Sequence, residues 1–254
     1  MKIISLNVWG GRIYDKLESF IKTQAPSTDV FCFQEFFDGL NDPRPEQLDA
    51  RKKYSQRTED FIYDLNDRVK SILPGFNGSV TQPYSNFGER LAMYVKTKTT
   101  SPGPVYETLI LKPSTQTWGG VAMKVGVRVQ YLHSKSSWII HTHGFWTQGN
   151  KNDTPERLQQ SKNLLKLLGT LPGEKVLLGD FNLNPETKSI AILTEKMRNL
   201  IKEYDIKTTR SPLSAPSKGT FADYAFLSQG VKLNNFQVLN DEVSDHLPLN
   251  VEIE

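Results

Sequence analysis

Short apolar runs alternate with amphipathic stretches along the chain, and the spacing of the apolar positions separates strands from helices. "KIISLNV" at residues 2–8 predicts a first strand, and "YDKLESFIKTQ" at 14–24 puts Leu17, Phe20 and Ile21 on one helical face. "DVFCFQE" at 29–35 is apolar until Gln34 and Glu35, the pattern of a strand covered on both faces. Residues 57–73 carry Phe61, Leu65, Val69 and Ile72 at helical spacing, and Pro74 and Gly75 end that helix. In the middle third, "ERLAMYVKT", "GPVYETLIL", "GGVAMKVGVRVQYL" and "SSWIIHTHGFW" alternate polar and apolar positions as antiparallel strands do. Thr154 caps a helix over 153–168 with Pro155 at its first position, and Leu158, Leu165 and Leu168 form its expected buried stripe. "EKVLLGD", "TFADYAFLS", "VKLNNFQVLN" and "LPLNVEIE" read as the remaining strands. No repeat, low-complexity tract or linker divides this succession, so one α/β domain over residues 1–254 is expected.

Composition narrows the class without choosing a function. Of 254 residues, 37% are hydrophobic and 23% charged, the balance of an ordinary globular protein. The formal charge of +3 is a weak bias, compatible with a polyanionic partner only where the basic groups cluster. Cys32 is the single cysteine, so no intrachain disulfide forms. The apolar start "MKIISLNVWGG" is too short for a signal peptide, and no window reaches the length of a membrane span. A cytoplasmic protein is the expectation.

Four predicted strands end in polar groups that are expensive to bury. Asn7 ends the first, Glu35 the second, and Asp180 with Asn182 the strand "KVLLGD"; "EVSDHLPL" adds Asp245 and His246. His141 and His143 share one face of "IIHTHGF", and Asp223 lies in "FADYAFLS". Strand ends on one edge of a sheet converge, so these groups are expected in one pocket holding a cation and a substrate. Glu, Asp, Asn and His, with no nucleophilic Ser or Cys among them, suit metal-assisted attack of water on a phosphoester. Carboxylate and amide oxygens fit Mg²⁺ or Mn²⁺. A histidine held by an aspartate takes the proton of the water, and amide and imidazole groups donate to the phosphate oxygens. A zinc site built on the His141-x-His143 pair is the less favoured alternative.

In order and approximate spacing, "SLNVWG", "FCFQE", "IIHTHGF", "LLGDFN", "FADYAFLS" and "VSDHLPL" resemble the motifs of the endonuclease/exonuclease/phosphatase superfamily, the DNase I-like fold. The resemblance spans residues 3–249; each motif alone is weak, and six in order are specific. It implies an α/β fold, a four-layer α/β/β/α sandwich of two facing mixed sheets, and Mg²⁺-dependent phosphoester hydrolysis. Carried over residue by residue, Glu35 and Asn7 are the metal-site pair, with Asp245 joining it. Asp180 and Asn182 contact the nucleophile and the phosphate, and His143 contacts the phosphate. His246 serves as general base or transition-state stabiliser, and Asp223 orients it. His141, which shares a face with His143, is expected as a partner behind the site, as a buried hydrogen-bonded histidine or as part of the less favoured zinc site.

For the substrate, the leading expectation is a phosphodiester of DNA or RNA, cleaved as a nuclease does. Hydrolysis of a small or lipid phosphoester is the alternative, and a catalytically inactive binding module the remote one. "TFADYAF" lacks the Trp-Cys-Asp-Arg element of inositol-polyphosphate phosphatases, and Phe221 and Ala222 stand where abasic-site endonucleases carry Arg-Ile or Arg-Leu. "GFWTQGN" departs from the segment that follows the same histidine in bacterial sphingomyelinases. Trp9, Trp118, Trp146 and Phe87 lie in or beside motif loops, where aromatic residues more often pack than stack on a substrate. His133 and the basic tract 50–57 are expected at the surface.

Overall fold

A computed structural model describes residues 1–38, 61–85, 87–98, 103–118, 121–134 and 137–254. Two six-stranded mixed sheets face each other. In the first the order is β11 (Leu233–Val238), β12 (Leu249–Ile253), β1 (Lys2–Asn7), β2 (Val30–Phe37), β4 (Glu89–Lys96), β3 (Phe76–Val80). The second runs β5 (Tyr106–Trp118), β6 (Val121–Ser134), β7 (Ser137–His143), β8 (Glu174–Asp180), β10 (Asp223–Leu227), β9 (Arg198–Asn199). Each sheet has a parallel pair at its centre, β1 with β2 and β7 with β8. A parallel pair needs a crossover, and a helix supplies it each time: α1 (Tyr14–Gln24) and α3 (Pro155–Thr170).

Alternation along the central strands explains the layers. Ile3, Val30, Cys32, Met93 and Val95 point between the sheets, where they meet Val129, Ile139, Leu177 and Phe226. Ile4, Leu6, Phe31, Phe33 and Tyr94 point outward and are covered by Leu17, Phe20 and Ile21 of α1 and by Leu65 and Val69 of α2 (Leu65–Ile72). On the far side α3, α4 (Lys188–Thr194) and α5 (Leu200–Glu203) contribute Leu164, Ile190 and Ile201. The result is the expected four-layer sandwich. Among the described residues, no helix is long and apolar enough to cross a membrane.

Two local expectations differ. The helix expected over 57–73 spans only Leu65–Ile72, and residues 57–60 lie outside the described residues. Phe61 instead stacks on Phe37, with ring centroids 4.9 Å apart. In α3 the buried positions are Arg157, Gln160, Ser161, Leu164 and Leu168, so Leu158 and Leu165 are only partly covered. Among the middle strands, β4 pairs with β2 in the first sheet, whereas β5, β6 and β7 belong to the second. His133 is exposed as expected and packs on Trp138, and the basic tract 50–57 lies outside the described residues.

Candidate active site

The C-terminal ends of the two parallel pairs meet at one edge of the sandwich, and strand register brings their last residues side by side. Asn7 is opposite Gln34, His143 is opposite Asp180, and Asp180 is opposite Asp223. Two backbone irregularities finish the placement. A bulge between Phe33 and Phe36, with Glu35 at φ 50°, lets both phenylalanines fill the outer core while Glu35 turns towards the site. Gly179 at φ 134° allows β7 and β8 to approach, because a Cβ there would lie 2.2 Å from the Thr142 carbonyl oxygen. Among the described residues four non-glycine residues have positive φ, and three of them, Trp9, Glu35 and Asn182, are at or beside this edge. Strain of that kind collects at functional sites.

Asp180 is the hub. Its Oδ2 accepts the Asn7 amide at 3.0 Å and lies 3.4 Å from His143 Nε2 and 3.6 Å from His246 Nε2, while its Oδ1 accepts the backbone N–H of Asn182 at 2.8 Å. The same Asn7 NH₂ group donates to Glu35 Oε1 at 3.0 Å. Asn7 Oδ1 accepts the backbone N–H of Trp9, which fixes the amide orientation: the donor end faces the two carboxylates. Asn7 was expected in the metal-site pair; in this orientation its NH₂ group links Glu35 to Asp180.

His143 is wedged between Tyr84, whose hydroxyl is 2.6 Å from Nδ1, and Asn182, whose Nδ2 is 3.0 Å from Nε2. Burial disfavours its charge, but Asp180 and Glu35 outweigh that and raise its pKa to about 9. For Asp180, burial pushes upward, and the imidazoles of His246 and His143 with the Arg210 guanidinium hold it well below the usual carboxylate range. His246 Nδ1 is 2.8 Å from Asp223 Oδ2. Burial raises Asp223 even though His246 pulls the other way.

Asp245 was expected beside the metal pair. Its Oδ2 is held by Lys218 at 2.6 Å and Arg210 at 3.1 Å, while its Oδ1 is buried, has no hydrogen-bond partner and lies 3.8 Å from His246 Nε2. His141 is near the site but separate from it: Nδ1 accepts from Gln34 Nε2 at 3.2 Å and Nε2 donates to Gln130 Oε1 at 2.8 Å. Both ring nitrogens are used, so the zinc alternative through His141 does not fit. Glu35, His143 and Asp180 bring one ligand atom each within 4.8 Å of one another, as do Asp180, Asp223 and His246. Hard carboxylate oxygens and the orphaned Asp245 Oδ1 form a donor set suited to a small divalent cation.

Sequence reasoning missed Arg210, Lys218, Lys151 and Tyr84. Arg210 Nη1 is 2.5 Å from His246 Nε2. Since a guanidinium only donates, Nε2 is the acceptor and Nδ1 carries the proton towards Asp223. Lys151 donates to the Phe221 carbonyl at 2.6 Å, and burial, aided by Arg210, pushes it down to about 8. None of the four lies in a recognisable motif; Arg210 is marked only by an antiparallel bridge to His246 across 36 residues. Of the aromatic residues, Trp9 stands at the rim with Arg12 4.8 Å and Lys218 5.7 Å from its ring, whereas Phe87 packs in a satellite core with Met123 and Phe145.

This fold and site define a class. Residues 4–246 match the model of the Endonuclease/Exonuclease/phosphatase family, and the chain belongs to that family. It is thus a phosphoester hydrolase of a family that generally depends on divalent metal ions. An endonuclease/exonuclease/phosphatase family protein from Bacteroides thetaiotaomicron is similar in structure, with TM-score 0.68, 18% identity, and 100% of this chain and 97% of that one covered. So is a mannosyl-6-phosphatase from Bacteroides thetaiotaomicron VPI-5482, at TM-score 0.69, 17% identity, and 100% and 99% coverage. The catalytic domain of human Nocturnin follows at TM-score 0.63, 16% identity, and 100% and 93% coverage. No curated protein matches the chain in sequence.

Proposed function

We propose that the protein hydrolyses an organic phosphoester with Mg²⁺, Mn²⁺ being able to replace it, and that the scissile phosphate is a terminal group of its substrate. The observation that carries this reading is the joint hold on Asp180 Oδ2: Asn7 from one sheet at 3.0 Å and the His143 and His246 imidazoles at 3.4 and 3.6 Å. Glu35 and Asp180 would hold the ion, with Asp245 Oδ1 the nearest unused carboxylate oxygen. When bound, the ion supplies positive charge against the non-bridging phosphate oxygens.

The remaining roles fall to the chain's own groups. Asp180 and Asn182 orient the attacking water against the phosphate. His246 Nε2, whose lone pair Arg210 Nη1 occupies at rest, accepts the proton of that water once Arg210 turns to the phosphate, and Asp223 at Nδ1 stabilises the imidazolium so formed. His143 and Asn182 donate to the phosphate oxygens as negative charge builds on them. Water oxygen forms the new P–O bond, the bond to the alcohol oxygen breaks, and the proton leaves with the alcohol.

A terminal phosphate is favoured because Asp180, His246, Asp223, Asn182 and His143 are at most 5% exposed, a floor that a slim end group reaches more easily than a strand running through. A nucleic-acid substrate is the second reading, and the Trp9 indole with Lys218 over it suits a stacked base. The test is hydrolysis of p-nitrophenyl phosphate, sugar phosphates, linear RNA and closed circular DNA with Mg²⁺, with Mn²⁺ and with EDTA. Metal-dependent release of phosphate from the small esters, with circular DNA left intact, is expected. Turnover undiminished by EDTA would refute the metal reading, and nicking of the circle would refute the terminal-phosphate reading. Salt separates the two substrate classes, since binding of a polyanion weakens steeply with ionic strength through counterion release.

A further inference from the structure

Residues 150–153 form no helix or strand, yet each of them is fastened. The buried Arg157 donates through Nη1 to the carbonyls of Asn150 and Asn152 at 3.0 and 2.6 Å, and the Asn184 N–H donates to that of Lys151 at 2.9 Å. Asp153 accepts the backbone N–H groups of Lys188 and Ser189 at 2.8 and 2.9 Å. Asn150 and Asn152 are exposed, whereas the Lys151 side chain between them turns inward and is half-buried. Its ammonium donates to the Phe221 carbonyl at 2.6 Å; that is its one hydrogen bond among the described residues, and none of their carboxylates is within ion-pair distance. Two of its three N–H donors are therefore unspent. Phe221 stands two residues before Asp223, in a segment laced to the one that carries Arg210. The Thr209 N–H donates to the Thr220 carbonyl at 2.9 Å, and Thr209 Oγ1 accepts the N–H groups of Ala222 and Asp223 at 3.0 and 3.1 Å. Burial disfavours the charge on Lys151, and the Arg210 guanidinium repels it, while Asp180, Asp223 and Asp245 draw it from beyond contact. Two neighbouring cations that share no carboxylate repel, and an anion between them removes that cost together with the cost of the unpaired, half-buried ammonium.

We propose that Lys151 and Arg210 flank the substrate phosphate, and that Lys151 is the residue by which the protein selects a terminal phosphate over the phosphate of a diester. The inference rests on the phosphoester-hydrolase reading above and adds the group that decides between its two substrate classes. A terminal phosphate has three non-bridging oxygens and, with a second pKa of about 6, carries close to two negative charges at neutral pH. A diester has two such oxygens and one charge. With His143 and Asn182 donating to two oxygens, Lys151 is the donor left for the third, and an ester chain in that place brings no charge for the ammonium to meet. The fastening of residues 150–153 serves this role, because an ammonium held in place beforehand loses little freedom when the anion arrives.

The experiment measures kcat/KM for p-nitrophenyl phosphate and bis-p-nitrophenyl phosphate, and Ki for inorganic phosphate, in the Mg²⁺-loaded wild type, Lys151→Met and Lys151→Arg. The wild type is expected to prefer the monoester. Lys151→Met keeps the length and removes the charge, so it should lower the monoester-to-diester ratio and raise Ki, each by about tenfold or more, the size of a lost charge-assisted hydrogen bond. Lys151→Arg should recover much of both. The Mg²⁺ concentration for half-maximal rate should stay that of the wild type, because the lysine meets the phosphate and not the ion. Where the diester is not turned over, Ki alone reads the result. A wild type that prefers the diester, or a ratio and Ki unmoved in Lys151→Met, would overturn the assignment while cleavage of either ester with Mg²⁺ leaves the hydrolase reading standing. Equal losses on both esters with a raised Mg²⁺ requirement would give Lys151 a structural part only and overturn it as well. If no ester is cleaved with any metal, both readings fall.

Discussion

His141 and His143 are two residues apart on one strand face, yet they differ in what surrounds them. Only His143 meets carboxylates, and its charge is supported; His141 sits between two amides, and burial pushes its pKa down to about 3. The amides cannot adapt. Gln34 Nε2 also donates to the Cys32 carbonyl and Gln130 Nε2 to that of Ser79, so each side-chain orientation is fixed by the backbone. A proton added at His141 Nδ1 would face an N–H donor. The unfolded chain takes up that proton near 6.5 and the folded one near 3, so stability is lost as pH falls through this window. At pH 5 the loss is about 2 kcal/mol, from 1.5 pH intervals at 1.36 kcal/mol each. Urea unfolding at pH 7.5 and pH 5 should therefore cost the wild type about 2 kcal/mol more than His141→Gln; equal losses would place the acid sensitivity elsewhere. In activity the order reverses. His246→Ala is expected to lower kcat by about a hundredfold or more, as loss of a general base does, and His143→Ala should do more harm than His141→Gln. A near-wild-type rate for His246→Ala would move the proton transfer to another group. The pairing of both histidines on one face was legible from their spacing. Their different partners were not, because Gln34, Gln130 and Asp180 reach them from distant segments.

Elements carried the motifs where the alternation pattern was intact, and the pattern misled where backbone had to be satisfied by side chains. In α3 the expected leucine stripe is rotated. Arg157 faces inward because its guanidinium donates to the carbonyls of Phe145, Asn150 and Asn152, and Gln160 Oε1 accepts the N–H of Phe145. These two polar residues close the open backbone of the loop after β7, which a search for apolar periodicity overlooks. The bulge that aims Glu35 was equally hidden, since one extra residue in a strand leaves no mark in composition. Gly179, by contrast, was visible in "LLGDFN", and the structure supplies its reason. Gly179→Ala must place a Cβ 2.2 Å from Thr142 O at a φ that side chains avoid, pushing β7 off β8 where His143 and Asp180 pair. It is expected to cost about 3 kcal/mol of stability and most of the activity. Gly169 is the control: it lies in α3 with nothing within 4 Å of a built Cβ, and Gly169→Ala should gain roughly 0.5–1 kcal/mol from helix propensity. Denaturant midpoints of the two variants check this, and similar midpoints would mean that the β7/β8 approach is not under strain.

Across the whole molecule the site is a seam. Asn7 and Glu35 belong to the first sheet, His143, Asp180 and Asp223 to the second, and Asp245 and His246 lie on the segment leading into β12 of the first. Arg210 reinforces the closure through its bridge to His246. A divalent cation bound by Glu35 and Asp180 would therefore join the two sheets, and its binding energy would appear as stability of the folded state. At a hundred times its Kd such an ion adds about 2.7 kcal/mol, which for a chain of this size is a rise in Tm of about 5–10 °C. Thermal unfolding of the wild type with Mg²⁺ and with EDTA should show that difference. Glu35→Gln keeps the volume and the hydrogen-bonding capacity but removes the charge, so its Tm should respond weakly to Mg²⁺ even where its Tm in EDTA equals that of the wild type. Because the readout is unfolding and not turnover, it tests where the ion sits independently of which ester is cleaved. An equal Mg²⁺ response in both proteins would put the ion away from Glu35 and leave the convergence of the two sheets to be explained by the Asn7 and His246 contacts alone.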